Sequence, residues 1–207
     1  MQVLVTGGAG FIGSHIVDRL VAEKHRVTVV DDLSTGLRKN VHPKVAFLEV
    51  DIRNLRDLEQ AMLNALPDVI SHHAAHANLR ESVKYPAFDA HVNIVGSVNL
   101  MRLAAKYRVR HFIFSSSGGA VYGEPSELPV TEDHPLNPSS PYGLAKLTVE
   151  RYLGLYRQME GLRYTALRYP NVYGPRQNPA GEAGVVAIFA EQMLKGEQPV
   201  IFGRGDK

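Results

Sequence analysis

The chain has 207 residues, 44% apolar and 21% charged, with a net charge of +2 when histidine is neutral. That composition suits a globular protein with a sizeable core and gives no basic surface for nucleic acid or an anionic membrane. Cysteine is absent, which rules out disulfides and thiolate metal sites and suits a reducing cytoplasm, and no apolar run reaches the roughly 18 residues that cross a bilayer. The first strand opens at Gln2, directly after Met1, so no signal peptide is expected. Residues 3–5 read as that strand. Residues 11–24 follow as a helix, with Phe11, Ile12, His15, Ile16, Arg19 and Leu20 at helical spacing. Strands are predicted at residues 26–30 and 45–50, a helix at 54–65 and a fourth strand at 68–71. A long helix over 87–107 carries Val92, Val95, Val98, Leu100, Leu103 and Ala104. Residues 110–115 are a fifth strand, 141–160 a helix with Ser140 as N-cap and Pro141 at its first position, and 163–167 a sixth strand. Strands alternating with helices imply a doubly wound α/β fold, a parallel sheet covered on both faces.

Beyond Tyr169 the pattern changes. Residues 171–184 lack periodicity and read as a long surface loop, 184–195 as a helix and 199–202 as a short strand. Gly203-Arg204-Gly205 reads as a turn immediately before the last residues, which suggests a chain cut short inside a second domain. The expected organisation is a dinucleotide-binding domain over 1–168, and over 169–207 the beginning of a substrate-binding region that is incomplete at its C-terminal side.

Thr6-Gly7-Gly8-Ala9-Gly10-Phe11-Ile12-Gly13 lies between the first strand and the first helix. Gly7 permits a tight turn, Gly10 lets backbone approach a pyrophosphate, and Gly13 lets the helix pack closely on the strand. The unpaired N–H groups at the helix start then hold the phosphates, the arrangement of a Rossmann fold. Asp31 and Asp32 close the second strand about 20 residues further on, where a carboxylate accepts from a ribose 2′-hydroxyl and repels a 2′-phosphate, so NAD is expected over NADP. Asp31 is the ribose ligand in this reading, and Asp32 caps the following turn. Asp51-Ile52 follows the third strand, where the acid meets the adenine amino group or caps the next helix.

Tyr142 and Lys146 stand at i and i+4 of one helix and share a face. A lysine beside a phenol favours the phenolate and lowers its pKa from roughly 10 toward neutrality, making tyrosine a general acid and base. Ser115-Ser116-Ser117 ends the fifth strand, at the carboxyl edge where ligands of such sheets bind, and supplies a hydroxyl for the same substrate oxygen. His72, His73 and His76 invite a metal reading, but His72 and His73 at a strand end point to opposite faces, so no metal is expected.

These segments, with His72-His73-Ala74-Ala75, Ser117-Gly118-Gly119-Ala120-Val121-Tyr122-Gly123 and Arg168-Tyr169-Pro170-Asn171-Val172-Tyr173-Gly174-Pro175-Arg176, resemble the extended short-chain dehydrogenase/reductase family in its UDP-glucose 4-epimerase-like branch, along essentially the whole chain. The resemblance implies NAD as cofactor, a UDP-hexose as substrate, a place in galactose metabolism and a homodimer built on the 87–107 and 141–160 helices. It implies that Tyr142 is the acid/base, Lys146 its partner and a ribose ligand, and Ser117 the assisting hydroxyl. It further implies that Ala74, Ala75 and Asn93 line the cofactor, that Tyr169 and Pro170 pack at the nicotinamide, and that Asn171 binds the nucleotide sugar; Ser115 is a further cofactor candidate, and Arg176 is a substrate candidate in a loop that either closes on the nucleotide or faces solvent. The chain departs from the family in one respect. The slot four residues before Tyr122, where many relatives carry the catalytic hydroxyl, is Gly118, which leaves Ser117 as the candidate and Ser116 as the fallback. Relatives that dehydrate their sugar carry acids beside this hydroxyl, whereas Gly118-Gly119 supplies none. That favours epimerisation over the alternatives of a dehydratase, a reductase or a silent NAD-binding protein.

Overall fold

The structure, a computed structural model, describes residues 1–179 and 184–201. The chain divides into two compact units, Met1–Pro170 and Asn171–Lys207. In the first, strands β1 (Gln2–Thr6), β2 (Arg26–Asp31), β3 (Ala46–Glu49), β4 (Val69–His72), β5 (His111–Ser117) and β6 (Tyr164–Tyr169) form one parallel sheet in the order β3-β2-β1-β4-β5-β6. The order reverses between β1 and β4, which opens a crevice at their carboxyl ends. Register brings Thr6 opposite His72 and Ser117 opposite Tyr169, so the candidate residues of distant segments meet along one edge.

Both faces of the sheet are apolar because side chains alternate along each strand. Val3 and Val5 of β1 pack with Val27, Val29 and Val17, the last from helix α1 (Phe11–Ala22). Leu4 points the other way, into a larger core with Ile70, Phe112 and Phe114. That core is completed by Leu58 and Met62 of α2 (Leu55–Ala65), Leu100 and Met101 of α5 (Gly96–Lys106), and Val149 and Leu153 of α7 (Pro141–Glu160).

The predicted 87–107 helix is three pieces in succession: α4 (Pro86–Ala90), a π-helical turn over His91–Val95, and α5. Among the described residues two further α-helices escape the periodicity reading. These are α3 (Leu79–Lys84), capped by Asn78 Oδ1 accepting from Glu81 N at 2.8 Å, and the single turn α6 (Gly118–Val121). In the second unit α8 spans Val185–Leu194. The strand expected at 199–202 is not formed over 199–201, and Phe202 and the predicted turn at 203–205 lie outside the described residues.

Candidate active site

Gly7 follows β1 with φ +70°, and its N–H donates to Val30 O at 2.8 Å. A Cβ there would lie 2.5 Å from Ala74 N, so only glycine fits. A Cβ on Gly13 would run into the Gly7 carbonyl and then Gly8. Gly13 therefore serves the turn itself rather than the helix–strand packing expected of it, while Gly8 lies on Val29 and Val17. Gly10, the N-cap of α1, differs: a Cβ would meet only Gly7 O, at 3.2 Å. The bareness of Gly10 is thus little required by the protein's own packing. No side chain caps α1 and no acid occupies its first turn, so the N–H groups of Phe11, Ile12 and Gly13 face the crevice edge as anion donors. A space kept open beside unpaired N–H groups at the sheet's switch point is what a dinucleotide pyrophosphate requires.

Asp31, 7% exposed, accepts from Ala9 N through Oδ2 and from Leu33 N through Oδ1, both at 2.9 Å. It clamps the glycine turn to the tip of β2, and burial pushes its carboxyl upward against the pull of those amides. Asp32 is exposed and accepts from Ser34 N at 3.0 Å and Ser34 Oγ at 2.6 Å. Asp51 holds Arg53 in a 2.5 Å ion pair that lowers its carboxyl pKa. It does not cap the next helix; Asn54 does, accepting from Asp57 N at 3.3 Å. Ile52 is buried under Gly96, whose missing Cβ would sit 2.6 Å from Ile52 Cδ1.

At the end of β4, His72 spends both ring nitrogens inside the protein, Nδ1 with Thr6 Oγ1 at 2.7 Å and Nε2 with Ser97 Oγ at 2.8 Å. Burial drives its pKa far down and that of His73 to about 4, so both rings are neutral. Among the described residues no group of His, Cys, Asp and Glu could hold a metal ion. Ala74 N donates to Thr6 Oγ1 at 3.3 Å, and Ala75 is half-buried beside it. Asn93, in the π-helical turn, accepts from His76 N at 2.8 Å and donates to His76 O and Asp89 Oδ1, each at 3.0 Å. Both its N–H donors are used in fixing the segment after β4.

Ser140 caps α7 by accepting from Gly143 N at 3.1 Å, with Pro141 at the first position. Tyr142 N donates to Ser82 Oγ of α3 at 3.3 Å, a support the sequence reading missed although Asn78-x-x-Glu81 is a helix-start pattern. The Ser117 hydroxyl acts on the Tyr142 phenol in the direction that favours the phenolate. Lys146, 4% exposed, donates through Nζ to Ser115 O at 2.8 Å and stands 5.6 Å from the Tyr142 ring centroid. Ser117, Tyr142 and Lys146 therefore converge, and Ser115 contributes its carbonyl. Ser116 does not belong to this group. It follows the buried register of Phe112 and Phe114, and its hydroxyl donates to Glu150 Oε1 at 2.5 Å, so the fallback is excluded. Glu150 in turn pairs with Arg168 at 2.8 Å, which ties α7 to β6.

The electrostatics correct one expectation. The Tyr142 phenol is not lowered but pushed up to about 12, first by burial and then by the Asp89 charge, against the Ser117 hydrogen bond. Lys146 is drawn down to about 8 by burial. Spacing on a helix reports that the two share a face; it does not report how much water the fold removes from the phenolate.

Tyr169 is half-buried at the tip of β6 and Pro170 is exposed. Asn171 and Arg176 lie in the second unit, both exposed, Arg176 with φ +68°.

The sequence profile of the NAD dependent epimerase/dehydratase family matches residues 3–207. The UDP-glucose 4-epimerase of Mycolicibacterium smegmatis is 48% identical over 99% of this chain and 67% of its own length. The crystal structure of the Thermotoga maritima UDP-glucose 4-epimerase with UDP-glucose superposes with a TM-score of 0.96 at 50% identity, covering 100% of this chain and 67% of that one. The Thermus thermophilus UDP-glucose 4-epimerase complex with NAD gives a TM-score of 0.92 at 50% identity, over 97% of this chain and 64% of that one. The chain thus spans about two thirds of the length of these relatives. The chain therefore belongs to the NAD dependent epimerase/dehydratase family.

Proposed function

We propose that this chain carries the NAD-binding and proton-transfer machinery of a UDP-hexose 4-epimerase of the UDP-glucose/UDP-galactose type. The single observation that carries the reading is the convergence of the Tyr142 phenol, the Ser117 hydroxyl and the Lys146 ammonium at the sheet edge beside the glycine turn. Gly7, Gly10, Phe11, Ile12 and Gly13 would hold the NAD pyrophosphate, Asp31 and Asp32 the adenosine ribose, and Asp51 and Ile52 the adenine. Ala74, Ala75, Asn93, Ser115, Tyr169 and Pro170 would line the nicotinamide end. Bound there, NAD supplies the acceptor and later the donor of a hydride.

The protein's own part is proton transfer and orientation. Tyr142 removes the proton from the sugar 4-hydroxyl as that carbon gives up hydride, and Ser117 holds the oxygen by a hydrogen bond throughout. Lys146 stays charged near the phenol and so favours the phenolate that forms in turnover. The resulting 4-keto sugar turns about its diphosphate link, and Tyr142 returns the proton on the other face. No net oxidation occurs. The absence of a carboxylate at Gly118 and Gly119 favours this outcome over dehydration. The same reading carries a homodimer through the exposed apolar side chains Phe88, Leu144, Tyr152 and Met159 of α4 and α7, and a cytoplasmic location.

The test is to supply NAD with UDP-glucose or UDP-galactose and follow the sugars by NMR. Interconversion without change in mass is expected. Tyr142→Phe should keep NAD affinity and lose most turnover. An oxidised, dehydrated or reduced sugar, or near-normal turnover by Tyr142→Phe, would overturn the reading.

A further inference from the structure

Lys146 is an ammonium almost wholly removed from water, and the Ser115 carbonyl cannot by itself offset the lost hydration. Its countercharge is absent from the family motifs quoted above. Asp89, 1% exposed, sits on α4, which packs directly against α7. One oxygen, Oδ1, is fixed by Asn93 Nδ2 at 3.0 Å and His76 Nδ1 at 3.2 Å; the other, Oδ2, is buried with no hydrogen-bond partner. The second nitrogen of His76 lies 3.0 Å from Glu81 Oε2 of α3, and Asn93 grips the His76 backbone on both sides. A rigid frame therefore holds one carboxylate in the interior with its second oxygen unpaired. Isolated buried carboxylates are costly and persist where a positive charge answers them.

We propose that Asp89 is a positioning residue, the fixed countercharge that keeps Lys146 an ammonium on the Ser115 carbonyl, and so keeps the Tyr142–Lys146 pair in working register. The charge of Asp89 acts on both partners, favouring the proton on Lys146 and on Tyr142 alike. The other titratable groups bearing on Lys146 are His72 of β4 and His73 just after it, both neutral, and those bearing on Asp89 are His76 and, behind it, Glu81. Removing the carboxylate should therefore move both protons to lower pH, whereas loss of a merely structural contact would reduce amplitude without moving a midpoint.

The inference rests on Tyr142 and Lys146 being the acid/base pair, but its test needs neither substrate nor NAD. In protein labelled with 13Cε-lysine, the Lys146 resonance is assigned by its loss in Lys146→Met and titrated in the parent and in Asp89→Asn. The isosteric amide can keep an accepting oxygen at the Oδ1 position. The midpoint should fall by about one pH unit, tenfold in proton affinity. The pH–rate profile for UDP-hexose turnover should shift to lower pH on both limbs. An unmoved Lys146 midpoint overturns the proposal even if activity falls. A moved midpoint in a protein that turns over no UDP-hexose overturns the function reading and leaves the countercharge standing. Asp89→Ser, which leaves room for water, repeats the comparison should the amide not fold, and failure of both to fold would make Asp89 a structural necessity and overturn the proposal.

Discussion

Gly10→Ala separates what the fold requires from what a ligand requires. Gly10 has φ −77° and ψ 177°, a conformation alanine adopts freely, and its added Cβ would meet only the Gly7 carbonyl, at 3.2 Å. The lost backbone freedom of the unfolded chain favours the variant by about 0.4–1 kcal/mol, and the tight contact subtracts a similar amount. The net change should stay within about 1 kcal/mol, or about 2–4 °C in Tm for a protein of this size. The methyl group, however, occupies the approach to the N–H groups of Phe11, Ile12 and Gly13. Loss of even one charge-assisted hydrogen bond there costs about 1.5–3 kcal/mol, so NAD affinity should drop at least about tenfold. Thermal melts without NAD and calorimetric titration with NAD give the two numbers. Gly7→Ala is the contrasting variant, since φ +70° and the 2.5 Å approach to Ala74 N put its cost in the fold. Parental NAD affinity in Gly10→Ala, or a collapse of its stability like that of Gly7→Ala, would refute the assignment of the turn.

Ser117→Ala should lower turnover on the order of a hundredfold with little change in stability, because its hydroxyl meets Tyr142. Ser116→Ala should keep turnover and cost about 1 kcal/mol in urea denaturation, because its hydroxyl meets Glu150; the reverse pattern would exchange the two roles. The Lys146 amine falls to about 8 on folding, from 10.5. Between those values the unfolded chain holds a proton that the folded chain releases, so stability climbs with pH across that window and is lowest, for this group, below about 8. Lys146→Met should flatten that climb when unfolding is followed at a series of pH values, and an unchanged slope would show that the amine is not buried as described.

Local patterns were read from the sequence far better than environments. The glycine turn, the Ser140–Pro141 helix start and the Tyr142/Lys146 spacing each depend on a few adjacent residues, and all three form as expected. The six strands were visible because β-branched runs alternate with helices, though β5 extends to Ser117 and gains its last residues from pairing with β6. Helix α3 shows no period in six residues, although Asn78 marks its start, and no local pattern marks the π-helical turn over His91–Val95. The choice between Ser116 and Ser117 depends on which side of β5 meets Glu150, and the direction of the Tyr142 shift depends on burial and on Asp89, a residue 53 positions away in the chain. Neither the Ser116–Glu150 contact nor the burial of Tyr142 is encoded in a motif.

The most direct test of the central claim uses UDP-glucose carrying deuterium at C4. If the C4 hydrogen leaves and returns within one site, UDP-galactose should form with its deuterium retained at C4 and no reduced dinucleotide released. Deuterium lost to water or recovered in free dinucleotide would contradict the account.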